Sequence, residues 1–257
     1  MDALVCVKAI VHEPPRLRDE GGVPVFERAR SAPVALNESD SYAIDEAVLL
    51  KKRHGGRVTA VTAGPLASQD ALYAAIAKGA DEAFRIDAEP SDPLLVAELL
   101  AAVVARGSYD LVLTGIESRD GLASAVGPAL AARLDRPFAS AVTAIEVAEG
   151  EGRAVVTREQ GGGFFQTLDM PLPAVLCVQS GICRLSYPPT IRVLQARKRP
   201  PRGLSPKALG VELGAASASL VAVTPPRRER EAEIVAGTPG EIARALLDRI
   251  ERALAGA

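Results

Sequence analysis

Short β-rich runs and longer helical runs take turns along residues 1 to about 135. LVCVKAIV (4–11), RVTAVTAGP (57–65), EAFRID and YDLVLTG are short and nearly unbroken apolar runs, as strands covered on both faces require. Between them lie segments with helical start and stop signals. In SDSYAIDEAVLLKKRHGG, Ser39 or Asp40 is placed to cap the helix and the glycines to end it. SQDALYAAIAKGA runs from Ser68 to Gly79, and SDPLLVAELLAAVVARG carries Pro93 in its first turn. The helical run ASAVGPALAARL follows the fourth strand. Alternation of this kind predicts an α/β fold whose mostly parallel sheet is covered by helices on both faces.

The rhythm changes near Pro137. From there to Ser180, strand-like runs are broken by EGEGR and QGGG, which read as hairpin turns. Antiparallel strands should therefore extend the sheet or cover its edge. Next, SYPPTIRVLQARKRPPRGLSPKALG is rich in proline and arginine and reads as an exposed arm without long regular structure. The end, GTPGEIARALLDRIERALAGA, predicts an amphipathic helix with Thr238 and Glu241 as capping box and Pro239 at its first position. The organisation expected is an α/β domain over residues 1–180, then an arm and a C-terminal helix over 181–257.

Composition narrows the function. Lys and Arg number 30 against 32 Asp and Glu, a formal net charge of -2, which gives no bulk attraction to nucleic acid. Two histidines (His12, His54) and three cysteines (Cys6, Cys177, Cys183) without ligand spacing leave a hydrolytic triad or zinc site almost no material. The odd, unframed cysteines suit a reducing compartment. The start MDALVCVKAIVHEPP has Lys8 inside its apolar run and no small-residue cleavage site. LLVAELLAAVVA is interrupted by Glu98 and falls short of the roughly 18 residues of a bilayer span. The expectation is a cytoplasmic protein, not inserted in a membrane, that works by binding or through a borrowed cofactor.

In open α/β sheets ligands collect outside the carboxyl ends of the strands. The loop GIESRDGLASAVGP (115–128) follows such an end, and its small residues let backbone approach a ligand closely. A helix starting near Ala123 to Ala125 would offer free N–H groups and its dipole to a phosphate, with Ser124 as a hydroxyl donor. A small-residue turn needed only for packing is the alternative. Neither G-x-x-x-x-G-K-[ST] nor G-x-G-x-x-G occurs.

Taken in order, VCVKAIV, ALNESDSYAIDEAVLLKK, VTAVTAGP, ALYAAIAKGADEAFRI, YDLVLTGIESRDGLASAVGPALAARL, PFASAVTAIEV, VVTREQGGGFFQTLDMPLPAVLCV and QARKR resemble the β subunits of electron transfer flavoproteins. The likeness covers about residues 3–200. It implies a doubly wound, Rossmann-like sheet of the adenine-nucleotide-hydrolase-like type, and an electron carrier rather than an enzyme. It implies a heterodimer with an α subunit that makes most contacts to a redox FAD. The β subunit itself would bind AMP, or a second FAD in electron-bifurcating members. Electrons would pass from a flavin dehydrogenase toward a quinone oxidoreductase.

Carried over by position, the family's nucleotide site begins with Cys6 at the end of the first strand. Nearby Lys8 is placed to neutralise a phosphate or reach across the subunit interface, a snorkelling surface lysine being the alternative. Asn37, Glu38, Ser39 and Asp40 fall on its Asn-Pro-Phe-x turn, of which only the asparagine is kept, and Ala63 precedes Gly64-Pro65. Gly115 opens the long loop, followed by Asp120, Ala123, Ser124, Ala125, Val126 and Gly127. Ser124 or Ala125 replaces the family's amide side chain, and Asp120 is as well placed to cap the next helix as to touch a ribose. Arg158-Glu159 resembles the family's Arg-Glu-x-x-Gly-Gly segment, an exposed hairpin pair being the alternative. Glu13 stands where many members carry an aromatic residue beside the partner's flavin. In the docking loop Tyr187 fits the family pattern, Thr190 stands at the anchoring leucine and Ile191 is its apolar neighbour. Arg192, Arg197, Lys198 and Arg199 would steer an acidic partner surface.

Two other classes stay open. An ATP-activating α/β enzyme usually shows Ser-Gly-Gly-x-Asp-Ser after its first strand, where this chain has KAIVHEPPR. A nucleotide-sensing stress-type module would not need the antiparallel segment, the basic arm or the C-terminal helix.

Overall fold

The computed structural model describes residues 1–11, 16–20, 23–27, 34–89, 92–148, 150, 152–216 and 234–255, with backbone alone for 16–20 and 23–27. Glu13 lies outside the described residues. By internal contacts the chain divides into a large unit, Met1–Val221, and a small one, Ala222–Ala257.

The large unit is built on strand–helix alternation. β1 (Ala3–Cys6) leads through β2 (Ala9–Val11), β3 (Arg16–Glu20), β4 (Val23–Glu27) and β5 (Val34–Leu36) to α1 (Glu38–His54). Next come β6 (Val58–Ala63), α2 (Gln69–Lys78), β7 (Glu82–Ile86), α3 (Pro93–Val104), β8 (Leu111–Gly115) and α4 (Val126–Leu134). β9 (Phe138–Ala148), β10 (Arg153–Gln160), β11 (Phe164–Pro171) and β12 (Ala174–Val178) follow, then α5 (Thr190–Ala196), β13 (Arg202–Leu204) and α6 (Pro206–Leu209). The main sheet has nine strands in the order β11-β10-β9-β12-β8-β1-β6-β7-β13.

β1 pairs in parallel with β6 on one side and β8 on the other, so the winding reverses beside it. The strand period of two divides the core. Ala3 and Val5 of β1, Leu111 and Leu113 of β8 and Leu176 of β12 pack with Ile44 of α1 and Leu72 of α2. Leu4 and Cys6, Val112 and Val175 face the other way, onto Leu99 of α3 and Leu130 of α4. Helices therefore cover both faces, as the alternation predicts.

Three sequence expectations need correction. The run 4–11 is not one strand: β1 stops at Cys6, and β2 pairs with β5 in a separate two-stranded sheet. The chain must leave the main sheet there, because the Lys8 N–H donates to the Asp40 carboxylate (2.7 Å) rather than to a neighbouring strand. Secondly, β9, β10 and β11 form the expected antiparallel hairpins, but β12 returns in parallel and inserts between β8 and β9. All its residues are buried, as a two-sided strand requires. Thirdly, the arm's β13 pairs in parallel with β7 and so joins the main sheet.

In the small unit α7 (Pro239–Ala255) begins at Pro239. Glu241 accepts from the Thr238 N–H (2.8 Å) and hydroxyl (2.7 Å), which forms the glutamate half of the predicted capping box. These two hydrogen bonds hold the Glu241 carboxyl below its usual range.

Candidate functional site

At the carboxyl ends of β1 and β8, where the winding reverses, lies a cavity of about 360 Å³. This is where open α/β sheets take their ligands. Its floor comes from the strand ends: Cys6, Val7 and Lys8, Ala63, then Thr114 and Gly115. Pro93, Val96 and Leu100 of α3 form an apolar wall. The loop from Ile116 to the start of α4 closes the other side, through Glu117, Ser118, Gly121 and residues 123–127.

Asn37 and Asp40 tie these parts together. Asn37 is the N-cap of α1, but its side chain does not cap. Its amide donates to Glu117 O (2.8 Å) and accepts from the Arg119 N–H (3.2 Å), holding the loop against α1. Asp40 sits inside the first turn, 6 % exposed, so neither it nor Ser39 caps the helix. Its carboxylate accepts from the Lys8 N–H (2.7 Å) and the Gly115 N–H (2.9 Å), clamping the ends of two neighbouring strands. Burial pushes this carboxyl up to about 7, against the pull of those hydrogen bonds. A Cβ on Gly115 would overlap the Asp40 carboxylate and Ser39 Cβ, so only glycine lets the clamp close.

The loop carries its own strain. Leu122 (φ 48°) and Ser124 (φ 47°) are left-handed without being glycine, at about 1–3 kcal/mol each. Ala125, right-handed, follows and caps α4, which starts at Val126 rather than at 123–125. Left- and right-handed residues in sequence turn successive N–H groups to one side and make an anion-binding concavity. Gly127 brings α4 onto β12: a Cβ there would overlap Cys177 Sγ and stand 3.2 Å from Thr114 Oγ1.

Asp120 neither caps α4 nor lines the cavity; it meets Lys8, which does line it, Nζ to Oδ1 2.6 Å, with Lys8 also donating to Ser118 Oγ (3.2 Å). Partial burial would raise the Asp120 carboxyl, but its hydrogen bonds to Lys8 and Ser118 win and hold it below its usual range.

Of the residues expected at a nucleotide site, Cys6, Lys8, Asn37, Asp40, Ala63, Gly115, Ala123, Ser124, Ala125, Val126 and Gly127 line this one cavity. Glu38 opens α1 and is exposed, and Ser39 lies buried behind Gly115. The α3 wall was missed, although Pro93, Val96 and Leu100 stand three and four apart, the spacing of one helix face. Among the described residues no cluster of His, Cys, Asp or Glu is arranged to hold a metal, and no helix is long and apolar enough to cross a membrane.

Residues 25–209 match the family model of the electron transfer flavoprotein domain. The chain is 32 % identical over 189 residues to the electron transfer flavoprotein subunit beta of Methylophilus methylotrophus, covering 70 % of this chain and 72 % of that one. It is 29 % identical over 245 residues to the Bacillus subtilis protein of that name, covering 93 % and 90 %. To the human one it is 32 % identical over 237 residues, covering 88 % and 89 %. The chain belongs to the electron transfer flavoprotein β-subunit family.

The segment expected to dock an electron donor falls outside the cavity. Thr190 opens α5, with Tyr187 just before it, and Arg192 exposed upon it. Tyr187, Ile191 and Leu194 are 84 %, 60 % and 53 % exposed. Lys198 and Arg199 are exposed beyond the helix. Arg197 is already engaged: it pairs with Asp70 (2.9 Å) and lies 5.6 Å over the Tyr73 ring. In the hairpin, Glu159 accepts from Gln179 Nε2 at 3.3 Å.

Proposed function

We propose that the chain is the β subunit of a heterodimeric electron transfer flavoprotein. It binds AMP in the cavity and helps position a redox FAD held mostly by the α partner. The pair takes electrons from a flavin dehydrogenase and passes them toward a quinone oxidoreductase. The cavity carries the nucleotide reading: it lies at the winding reversal, with a strained turn and the N-terminus of α4 presenting N–H groups to an anion. The FAD supplies the electron chemistry, while residues of this chain bind and orient.

A volume of about 360 Å³ sits low in the range of roughly 300–1,000 Å³ for small-molecule sites. That is room for a mononucleotide such as AMP, with a second FAD as the alternative. Burial raises the Cys6 thiol and pushes Cys177 up to about 11, so both stay protonated and neither offers a nucleophile at neutral pH. All three cysteines are free, which supports a reducing, cytoplasmic setting. The exposed side chains of α5 support its reading as the donor dock, with Ile191 as anchor where Thr190 replaces leucine.

The test is to co-express the chain with its α partner, denature the heterodimer and identify the nucleotides released. One AMP and one FAD per heterodimer are expected. Ala125→Glu, which brings a carboxylate to the amides of residues 123–126, should lower AMP occupancy; unchanged occupancy would count against this site. Two FAD per heterodimer would replace AMP with the second flavin.

A further inference from the structure

α1 and α2 hold a charge pair that takes no part in the cavity. Lys78, the last residue of α2, meets Asp45 of α1 at 2.7 Å, and each side chain is 6 % exposed. Burying such a pair costs desolvation that the mutual attraction alone often fails to offset, so its other partners matter. Both groups turn to one residue of the arm. Asp45 Oδ2 accepts the Ser186 N–H at 2.8 Å and Oδ1 accepts the Ser186 hydroxyl at 2.5 Å. Lys78 Nζ donates to the Ser186 carbonyl at 2.6 Å. A residue whose N–H and C=O are both held by buried charges is fixed in place and in orientation.

Ser186 directly precedes Tyr187. At the far end of α5, Ala196 is buried and Arg197 is held by Asp70 and Tyr73, both on α2. The segment that exposes Tyr187, Ile191 and Leu194 is thus strung between two grips on the same helix pair.

We propose that Lys78 and Asp45 are positioning residues for donor docking: by gripping Ser186 they hold the segment 187–196 in its binding geometry before the dehydrogenase arrives. The proposal rests on the reading of that segment as the dock. Ordering in advance removes a cost from association. Releasing the grip lowers the competent fraction, and the apparent KM rises as its inverse.

The test uses the heterodimer with its α subunit and the flavin dehydrogenase that reduces the wild-type heterodimer. Asp45→Asn/Lys78→Met removes both charges together, so no orphan charge is left to unfold the protein. Ser186→Ala removes one hydroxyl, and Ser186→Thr keeps it. We expect the KM for the heterodimer to rise about ten-fold in the double variant and about three-fold in Ser186→Ala. kcat and bound nucleotide should hold, Ser186→Thr should stay near wild type, and amide exchange across residues 183–187 should speed up in the double variant. If Ile191→Ala raises KM while the double variant changes neither KM nor exchange, the role of the Lys78–Asp45 grip is overturned and the dock stands. If Ile191→Ala also leaves KM unchanged, the docking reading fails and takes the grip's role with it. Parallel loss of kcat and nucleotide in the double variant would overturn the proposal in favour of general damage to the fold.

Discussion

Two aspartates five positions apart on α1 hold the cavity and the arm by different means. Asp40 receives two backbone N–H groups from the ends of adjacent strands, while the nearby Lys8 ammonium is turned to Asp120. Asp45 receives the N–H and hydroxyl of a single residue, 141 positions on, and shares the work with a buried lysine. The cavity is thus shaped by backbone that the sheet already brings together, and its side chains need only close the gap. The arm has little sheet behind it and is held by charged side chains. Damage to the cavity should therefore spread into the fold, whereas damage to the arm should stay local.

The largest expected effect comes from filling the spot where the first turn of α4 comes closest to β12. Gly127→Val places atoms where Cys177 Sγ lies, beside Thr114 Oγ1. We expect about 1–3 kcal/mol of destabilisation by chemical denaturation, with nucleotide lost as α4 is displaced. Cys177→Ala in the same chain opens space and should return part of both losses. A Gly127→Val protein of unchanged stability would mean that α4 is not seated on β12 as described.

The next effect is one of pH. The Asp40 carboxyl is raised to about 7 by burial, above its value of 3.8 when free. The folded chain therefore holds this proton more tightly than the unfolded one, and stability from this group is present below about pH 4 and lost as pH rises to about 7. Asp40→Asn should abolish that part of the slope, and should also cost about 1–3 kcal/mol because its NH2 faces a backbone N–H left without an acceptor. Denaturation midpoints for both proteins at pH 5 and pH 8, with curves that fall in parallel, would refute the assignment to Asp40.

The same contrast explains what could be read from sequence. The β6, β7 and β8 strands and the helices α1 to α4 are local signals of period and punctuation, legible in the sequence. The sequence marks residues 9–11 as strand-like, but an apolar run says nothing about its partner, so the break at Val7-Lys8 and the pairing of β2 with β5 were hidden. β12 was legible as a strand; that it returns parallel between β8 and β9 depends on the whole sheet. The cavity follows from strand ends, which is why so many expected residues line it. The grip on Ser186 has no local signature at all, since Lys78 and Ser186 stand 108 residues apart.

The smallest expected effect tests whether a lysine at the cavity mouth resembles the lysine under the arm. Lys8 and Asp120 form a close pair, but their side chains are 49 % and 40 % exposed, so water and salt weaken it. Lys8→Met should change stability by less than about 1 kcal/mol. It leaves Asp120 uncompensated beside the loop proposed to receive a phosphate, so nucleotide affinity should fall about three-fold at low salt and by less at high salt. Asp120→Asn added to Lys8→Met should restore most of that affinity, because the harm lies in the unopposed carboxylate. Calorimetric titration of AMP into nucleotide-free heterodimer at both salt levels reads the affinities, and chemical denaturation reads the stability. If Lys8→Met destabilised the chain as much as Gly127→Val does, the mouth pair would be part of the frame, and the division between a backbone-built cavity and a charge-held arm would not stand.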